Sequence, residues 1–136
     1  VQGETNAVGP KKRPLSSMTP TIVLKKDGTF WFAVGARGGP RIISAVLQST
    51  INMIDHGMNI QEAIDAPRIH HQWLPDHIMW EKYGMSPDTR AILVRYGHKF
   101  RANPRNLASA TAVAVDKDGV KLGAIDGRSD GVAVGY

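Results

Sequence analysis

The sequence predicts an α+β fold with antiparallel strand pairing. Two pairs of β-prone runs are each joined by a turn signal, apolar residues between the pairs recur at helical spacing, and 14 glycines with 8 prolines supply many turns. Apolar residues make up 42% of the 136 residues and charged residues 21%, which is typical of a globular chain. We therefore predict a single domain over 1–136, with an extended loop over 1–20 followed by a core of sheet and helix over 21–136.

Two β-hairpins enclose the helical part of the chain. Their strands are predicted over 21–24, 30–34, 108–115 and 120–125. An Asp-Gly pair lies in each connection, at 27–28 and at 118–119, and such a pair favours a tight reversal of the chain. A further short strand is predicted over 78–82.

The first two helices are predicted from their ends as much as from their periodicity. Apolar residues recur at helical spacing between Pro40 and Gly57. Proline is favoured in the first turn of a helix, and glycine is favoured just after the last turn. A second helix is predicted over 60–65, because Asn59 and Glu62 have the spacing of a capping box.

A third helix is predicted to open at Ser86, which is followed by a proline at the first helical position, and to end at Gly97. Ile92 and Leu93 are expected to face inward from it.

The chain is basic, with a net charge of +5 from 17 Lys and Arg against 12 Asp and Glu. These residues are scattered, and the densest cluster, 11–13, contains no aromatic side chain on which a base could stack. We therefore expect no nucleic-acid partner, and an anionic small molecule accounts equally well for the local Arg and Lys. Cysteine is absent, which excludes a thiol nucleophile, disulfides and thiolate metal sites from this chain. No apolar run approaches the roughly 18 residues of a membrane helix, so no membrane span is expected.

Two consecutive glycines, Gly38 and Gly39, lie between a predicted strand and a predicted helix. Glycine permits backbone conformations that leave both amide N–H groups facing open space, and the helix start adds a positive partial charge there. Pro40 has no N–H, so any donors must be the amides of the two glycines. Such a pair could bind an anion or the oxyanion of a tetrahedral intermediate, but a tight strand-to-helix connection without a ligand has the same pattern.

Adjacent hydroxyls occur in the N-terminal loop at Ser16 and Ser17, between Pro14 and Pro20. Two hydroxyl donors on a proline-restricted backbone, with the charge of Arg13 nearby, are suited to binding a carboxylate. An ordinary surface loop would look the same. A nucleophilic role is not expected, because a serine nucleophile needs a base and an orienting group, and no serine-hydrolase signature surrounds the histidines.

The pair His70-His71, followed by Asp76 and His77, is a candidate metal-binding cluster. Adjacent side chains of an extended segment point to opposite sides, so the two histidines cannot readily face one metal. No zinc-binding spacing such as H-E-x-x-H is present. We expect a structural role, with the imidazole rings hydrogen-bonded beside Trp73, and neither a metal nor another cofactor.

Taken together, four segments resemble the γ-glutamyltranspeptidase family. They follow the order and spacing of that family's motifs over nearly the whole chain, and they are NAVGPKKRPLSSMTPTI at 6–22, GARGGPRII at 35–43, NIQEAIDAPRIHHQ at 59–72 and DGRSDGVAVGY at 126–136.

The resemblance implies an N-terminal-nucleophile hydrolase fold, in which two antiparallel sheets are sandwiched by helices. Family members are precursors that cut themselves into two subunits, and the new N-terminal threonine attacks the γ-glutamyl amide of glutathione or a similar donor. The acyl group then passes to water or an amino acid. By matching motifs, Ser16 and Ser17 hold the donor's α-carboxylate within the loop 1–20, and the amides of Gly38 and Gly39 form the oxyanion hole.

The nucleophile itself is missing from this chain. Val1 has neither a hydroxyl nor a thiol, and no threonine is followed by the expected Thr-His or Thr-Ser pattern. We therefore expect this chain alone to be inactive, and to act with the large subunit and the missing N-terminal part of the small subunit. A periplasmic or extracellular location is implied by the resemblance only.

Substrate preference stays open at this level. Arg37 and Pro40 flank the glycine pair where bacterial members often carry Pro and Ser; Pro40 leaves a main-chain oxyanion hole intact, whereas Arg37 adds charge near the acceptor side. Three interpretations remain: part of a γ-glutamyl acyltransferase or hydrolase, a non-catalytic fragment or binding module that retains the carboxylate site, or a relative acting on poly-γ-glutamate or a cephalosporin side chain.

Overall fold

The computed structural model describes residues 3–135, and the expectations for Val1 and for the last residue of the C-terminal motif fall outside that range. A short 3-10 turn at Glu4–Asn6 lies in the N-terminal loop, which otherwise has no regular element before Thr21. The elements that follow are, in chain order, β1 (Thr21–Leu24), β2 (Phe30–Arg37), α1 (Arg41–Ile54), α2 (Ile60–Asp65), β3 (Ile69–His70), β4 (Met79–Trp80), α3 (Pro87–Arg95), β5 (Ser109–Val115) and β6 (Lys121–Ile125).

The two predicted hairpins join into one antiparallel sheet with the strand order β1-β2-β5-β6. In the first turn, the Asp27 carboxylate accepts hydrogen bonds from the N–H and the hydroxyl of Thr29 at 2.9 and 2.6 Å. β2 runs three residues past its predicted end, because its pairing with β5 continues as far as Arg37 opposite Ser109. The sheet thereby brings the end of β2 beside the start of β5.

Helices α1 and α2 cover one face of this sheet. α1 begins at Arg41, with Pro40 as its N-cap. The capping box of α2 is confirmed, since the Asn59 side chain accepts from the Glu62 N–H at 2.9 Å and the Glu62 carboxylate accepts from the Asn59 N–H at 3.1 Å.

The core lies between the helices and that face. Alanines at alternate positions of β5 let the helices approach closely, and larger apolar side chains fill the remaining space. The buried cluster comprises Phe32, Val34, Ile42, Val46, Met53, Ile60, Ala63, Ile64, Ala110, Ala112, Ala114 and Ala124.

The opposite face of the sheet is apolar but open. Ile22, Ala33, Val113 and Gly123 lie side by side across the four strands in register. Ile22 is 70% exposed and Val113 is 53% exposed. Apolar sheet faces are usually covered by another layer, so an exposed apolar face of this size is a feature that needs an explanation.

The segment between the hairpins departs most from the prediction. The strand expected over 78–82 is reduced to Met79–Trp80, because Ile78 instead forms a bridge with Phe100. α3 opens as predicted, with the Ser86 hydroxyl accepting from the Thr89 N–H at 3.1 Å. The inward orientation of Ile92 is wrong: its side chain is 41% exposed, because α3 buries none of its residues against the sheet.

The predicted class, α+β with antiparallel pairing, is confirmed. The division into a loop over 1–20 and a core over 21–136 stays a prediction. Over the described residues, the helices are too short or too polar to cross a membrane.

Candidate functional site

Gly38 and Gly39 form the turn that joins β2 to α1. Their φ angles are +142° and +62°, a region that side chains disfavour. A Cβ added to Gly38 would lie 2.8 Å from the Cα and the Cβ of Ala108, so close packing as well as backbone conformation requires glycine there. Around Gly39 the space is open, and only its φ restricts it.

The amides of this turn are available to a ligand. Within residues 3–135, neither the Gly38 N–H nor the Gly39 N–H donates a hydrogen bond, whereas the Gly39 carbonyl accepts from the Ile42 N–H at 3.0 Å. α1 begins at Arg41, so the positive end of its dipole lies beside the two amides. This is the arrangement expected for binding an anion or an oxyanion.

Ala108 forms the wall against which Gly38 packs. Its own φ is +63°, which is unfavourable for a residue with a side chain. Both neighbours hold it in place: the Leu107 N–H donates to the Glu81 carboxylate, and Ser109 pairs with Arg37 across the sheet. The surrounding contacts therefore fix a strained residue directly behind the glycine turn.

A buried network of two arginines and two carboxylates anchors that wall. Arg68 is 1% exposed and Asp126 is 0% exposed, and the Arg68 Nη1 lies 2.8 Å from the Asp126 Oδ2. Arg128 bridges the two carboxylates, with Nη1 at 2.8 Å from the Asp126 Oδ1 and Nε at 2.8 Å from the Glu81 Oε1. The same Asp126 carboxylate accepts from the Ala110 N–H at 2.8 Å, so the network joins β5 to the segments that follow β4 and β6.

Electrostatics favour the ionised forms of Asp126 and Arg128. Burial alone would raise the pKa of Asp126, but hydrogen bonds from the Ala110 amide and from the Arg128 and Arg68 guanidinium groups outweigh burial and hold that pKa below its usual range. Burial would likewise lower the pKa of Arg128, but hydrogen bonds and charges of Glu81 and Asp126 raise it. Sequence reasoning missed this network. The available signal was the presence of Arg68, Asp126 and Arg128 inside two of the family-like segments.

Ser17 and Gly39 line a single cavity of about 600 Å³. The N-terminal loop lies across the start of α1, and it brings Lys12 and Arg13 to the same cavity. The cavity therefore has hydroxyl and cationic groups on the loop side and a backbone amide at the glycine turn. A small molecule with a carboxylate near a second polar carbonyl matches this distribution.

The other two predicted site residues lie just outside the cavity lining. The Ser16 Oγ accepts a hydrogen bond from the Met18 N–H at 3.2 Å, and Gly38 packs on Ala108. The structure thus brings together one of the two serines, Ser17, and one of the two glycines, Gly39, in the lining of one cavity.

The histidine pair is structural in its contacts. His70 is buried, and its Nδ1 and Nε2 lie 2.7 Å from the Ser44 Oγ and 2.9 Å from the Gln72 Oε1. His71 lies on the surface, with its Nε2 3.3 Å from the Asp76 Oδ1. Across residues 3–135, no group of three His, Cys, Asp or Glu side chains is placed to hold a metal ion.

The chain is similar to known proteins over its whole length. Residues 1–136 match the family model described as Gamma-glutamyltranspeptidase. The glutathione hydrolase proenzyme of Escherichia coli (strain K12) is 52% identical over 137 residues, which cover 100% of this chain and 23% of that protein. The acylase ACY 1 proenzyme of Pseudomonas sp. (strain SE83) is 35% identical over 132 residues, covering 97% of this chain and 23% of that protein.

A solved structure shows the same fold. A mutant γ-glutamyltranspeptidase from Helicobacter pylori superimposes with a TM-score of 0.84 at 44% identity, covering 95% of this chain and 70% of that one. The fold expected from the resemblance, part of an N-terminal-nucleophile hydrolase sandwich, is thereby confirmed. The chain spans about a quarter of the length of the curated relatives described above. It belongs to the γ-glutamyltranspeptidase family.

Proposed function

We propose that this chain is part of a γ-glutamyl acyltransferase or hydrolase, in which it supplies the donor's carboxylate-binding site and the oxyanion hole. The observation that carries this proposal is the single cavity that Ser17 and Gly39 share. Family membership supports the reaction class, and the name glutathione hydrolase, borne by the relative from Escherichia coli, supports a γ-glutamyl amide as the donor.

In this proposal the donor's α-carboxylate binds at the loop side of the cavity. The Ser17 hydroxyl donates a hydrogen bond to this carboxylate, and Ser16 is the adjacent residue in the sequence. The cations of Lys12 and Arg13 lower the free-energy cost of removing the carboxylate from water. The γ-carbonyl of the donor then points toward the glycine turn.

The glycine amides act when charge develops on that carbonyl oxygen. A threonine hydroxyl from another part of the complete protein attacks the carbonyl carbon, and the amides of Gly38 and Gly39 donate to the resulting oxyanion. The amine leaves with a proton, an ester to threonine remains, and water or an amino acid then takes the γ-glutamyl group. No cofactor takes part in these steps.

The partners we propose are the large subunit and the N-terminal part of the small subunit. Two observations support them: the open apolar sheet face that includes Ile22 and Val113, and the coverage of only 23% of the relative from Escherichia coli. The relative from Escherichia coli is named a proenzyme, which supports a processed precursor. We also propose a periplasmic or extracellular location. Cell fractionation tests it, and activity found only in the cytoplasmic fraction would contradict it.

The test is to purify the complete protein and to assay release of aniline from a γ-glutamyl anilide. We expect hydrolysis, together with a companion polypeptide whose N-terminal residue is threonine, seen by mass spectrometry. If the folded protein binds the donor but does not cleave it, and no such companion is present, the chain acts as a non-catalytic binding module instead.

A second donor class is favoured by one observation, the 35% identity to a protein named an acylase. The same preparation should therefore be assayed on a cephalosporin side-chain amide and on poly-γ-glutamate. Faster cleavage of either than of the γ-glutamyl anilide would replace glutathione-like donors with that class.

A further inference from the structure

Glu81 joins three segments of chain that are distant in sequence. It directly follows β4 and is 4% exposed. Its Oε2 accepts from the Arg68 N–H at 2.9 Å, and its Oε1 accepts from the Leu107 N–H. The Arg128 guanidinium donates to both oxygens, with its Nε 2.8 Å from the Oε1. Because every one of these contacts restricts the same buried carboxylate, Glu81 is a fixed point to which the three segments are attached.

Leu107 is fixed through both of its backbone polar groups. Its N–H donates to Glu81, and its carbonyl accepts from the Arg68 Nη1 at 3.2 Å. Leu107 is 1% exposed, so a released N–H would be a buried donor without a partner, which is unfavourable. The two contacts therefore fix the peptide groups on both sides of Leu107, including the one that leads into Ala108.

Ala108 follows this fixed residue in a strained conformation. Its φ of +63° is left-handed, a region that a residue with a Cβ disfavours. On its other side, Ser109 is held by pairing with Arg37. A residue that is held at both flanks keeps an unfavourable conformation, and it relaxes when one flank is released. Relaxation would move the Cα and Cβ of Ala108, against which Gly38 packs.

We propose that Glu81 and Ala108 are positioning residues for the oxyanion hole. Glu81 holds Ala108 in its left-handed conformation through the Leu107 N–H, and Ala108 in turn fixes the turn that carries the amides of Gly38 and Gly39. Neither Glu81 nor Ala108 lines the cavity shared by Ser17 and Gly39. The inference rests on the proposed function and deepens it, because it names the residues that set the geometry of one part of that site.

The proposed chain of contacts predicts a loss that is confined to the transition state. The amides of the glycine turn bind the oxygen only when it becomes an oxyanion, and their effect depends on their being held in place beforehand. The α-carboxylate of the donor is bound at the loop side of the cavity, by Ser17. A displaced glycine turn should therefore lower kcat and leave ground-state binding of the donor unchanged.

Two variants break the proposed chain of contacts at different points. Glu81→Asp keeps the negative charge beside Arg128 but is one methylene shorter, so its carboxylate no longer reaches the Leu107 N–H. Ala108→Gly removes the Cβ that lies against Gly38. Glycine adopts a positive φ without strain, so this second variant should fold as well as the native protein does.

The control variant is Ser86→Ala, which removes the hydroxyl that caps α3. It should lower stability slightly and leave kcat unchanged, because the lost cap lies outside the proposed chain of contacts. It shows whether a loss of stability alone changes the kinetics.

The measurements use the complete enzyme, with rates expressed per molecule of processed protein. Hydrolysis of a γ-glutamyl anilide gives kcat, and two competitive inhibitors separate the two kinds of binding. Norvaline has the α-carboxylate and the amine of the donor but no γ-carbonyl. In the second inhibitor, a boronic acid replaces the γ-amide. The threonine oxygen adds to its boron and loses its proton, which gives a tetrahedral anion like the reaction intermediate.

We expect kcat to fall at least about 10-fold in Glu81→Asp and in Ala108→Gly, since complete loss of an oxyanion donor costs roughly 10²–10³. Affinity for the boronic acid should fall by a similar factor. Affinity for norvaline should change by less than about 2-fold, because norvaline presents no oxygen to the glycine turn. Ser86→Ala should resemble the native enzyme in all three measurements.

Two results overturn the positioning role while the proposed function stands. One is native kcat and native boronic acid affinity in the folded variants, with folding checked by circular dichroism. The other is an equal loss of affinity for both inhibitors, which would mean that the whole site is disturbed. If Glu81→Asp does not fold, Ala108→Gly decides by itself. Failure of the native enzyme to cleave the anilide overturns the proposed function, and this inference with it.

Discussion

The Cβ position of Gly38 lies 2.8 Å from the Cα of Ala108, so the turn that carries the two amides is packed directly on the residue that precedes β5. Ala108 is itself held by Leu107, whose N–H donates to the buried Glu81 carboxylate. The location of the amides therefore depends on a network that lies outside the lining of the cavity shared by Ser17 and Gly39.

Gly38→Ala should reduce kcat of the complete enzyme by roughly 10²–10³, the usual loss when an oxyanion donor is displaced. The added methyl group cannot fit against Ala108, so the turn must shift. Gly28→Ala is the matched control: Gly28 also has a positive φ, of +84°, but open space around it and a place in a remote turn. It should cost about 1–2 kcal/mol of stability and leave kcat unchanged. Equal kcat for the two variants would falsify the oxyanion assignment.

Replacing both Ser16 and Ser17 with alanine should raise KM for the donor more than it lowers kcat. These hydroxyls are proposed to bind the α-carboxylate in the ground state and in the transition state alike, and uniform binding appears in KM. The measurement is steady-state hydrolysis with a γ-glutamyl donor and with the same donor lacking its α-carboxylate. The variant should lose at least about 10-fold in kcat/KM on the first donor and little on the second, since even one hydrogen bond to a charged group contributes about 1.5–3 kcal/mol and about 1.4 kcal/mol is a factor of ten. Equal losses on both donors would contradict carboxylate binding.

The free energy of unfolding should fall as the pH drops below about 4. The folded-state pKa of Asp126 lies below its unfolded value of about 3.9, so its contribution is fully present above that value and is lost as the pH falls through the folded pKa. Asp126→Asn should destabilise the protein by about 3–5 kcal/mol at neutral pH, because it leaves buried guanidinium groups with less compensation. It should also flatten the acid part of the stability profile.

Denaturant unfolding between pH 3 and pH 7 checks this dependence. Asp118→Asn serves as the control, since Asp118 lies exposed in the β5–β6 turn and should leave both stability and its pH profile nearly unchanged. A native-like profile for Asp126→Asn would show that the network is not the acid-sensitive element.

Val113→Lys should reduce assembly of the complete protein, because the proposed partners cover the open sheet face. Val94 provides a matched control: both valines are 53% exposed, but Val94 lies on α3, away from the sheet. The control variant is Val94→Lys. Size-exclusion chromatography should show free or aggregated chain for Val113→Lys and normal assembly for Val94→Lys. Normal assembly of both would mean that this face is not the interface.

Local interactions were readable from the sequence. The capping box at Asn59 and Glu62 and the tight turns at Asp27 and Asp118 appear where predicted, because each depends on contacts within a few residues of chain. The α+β class followed from the same short-range patterns. The four site residues were named from motifs, and their roles as carboxylate-binding and oxyanion-binding groups stay predictions.

Only the tertiary structure decided which of these pieces meet. Pairing of β2 with β5 joins residues more than seventy positions apart and places Ala108 behind Gly38. Three other features also depend on contacts between segments that are distant in sequence. They are the cavity that Ser17 and Gly39 both line, the buried ion pair of Arg68 with Asp126, and the exposure of Ile92. The spacing of apolar residues and the identity of turn residues determine structure over a few neighbouring residues. Burial and charge pairing depend instead on which distant segment of the chain packs against them. The sequence by itself thus determined the family, the class and the candidate groups, and packing determined how those groups are held together.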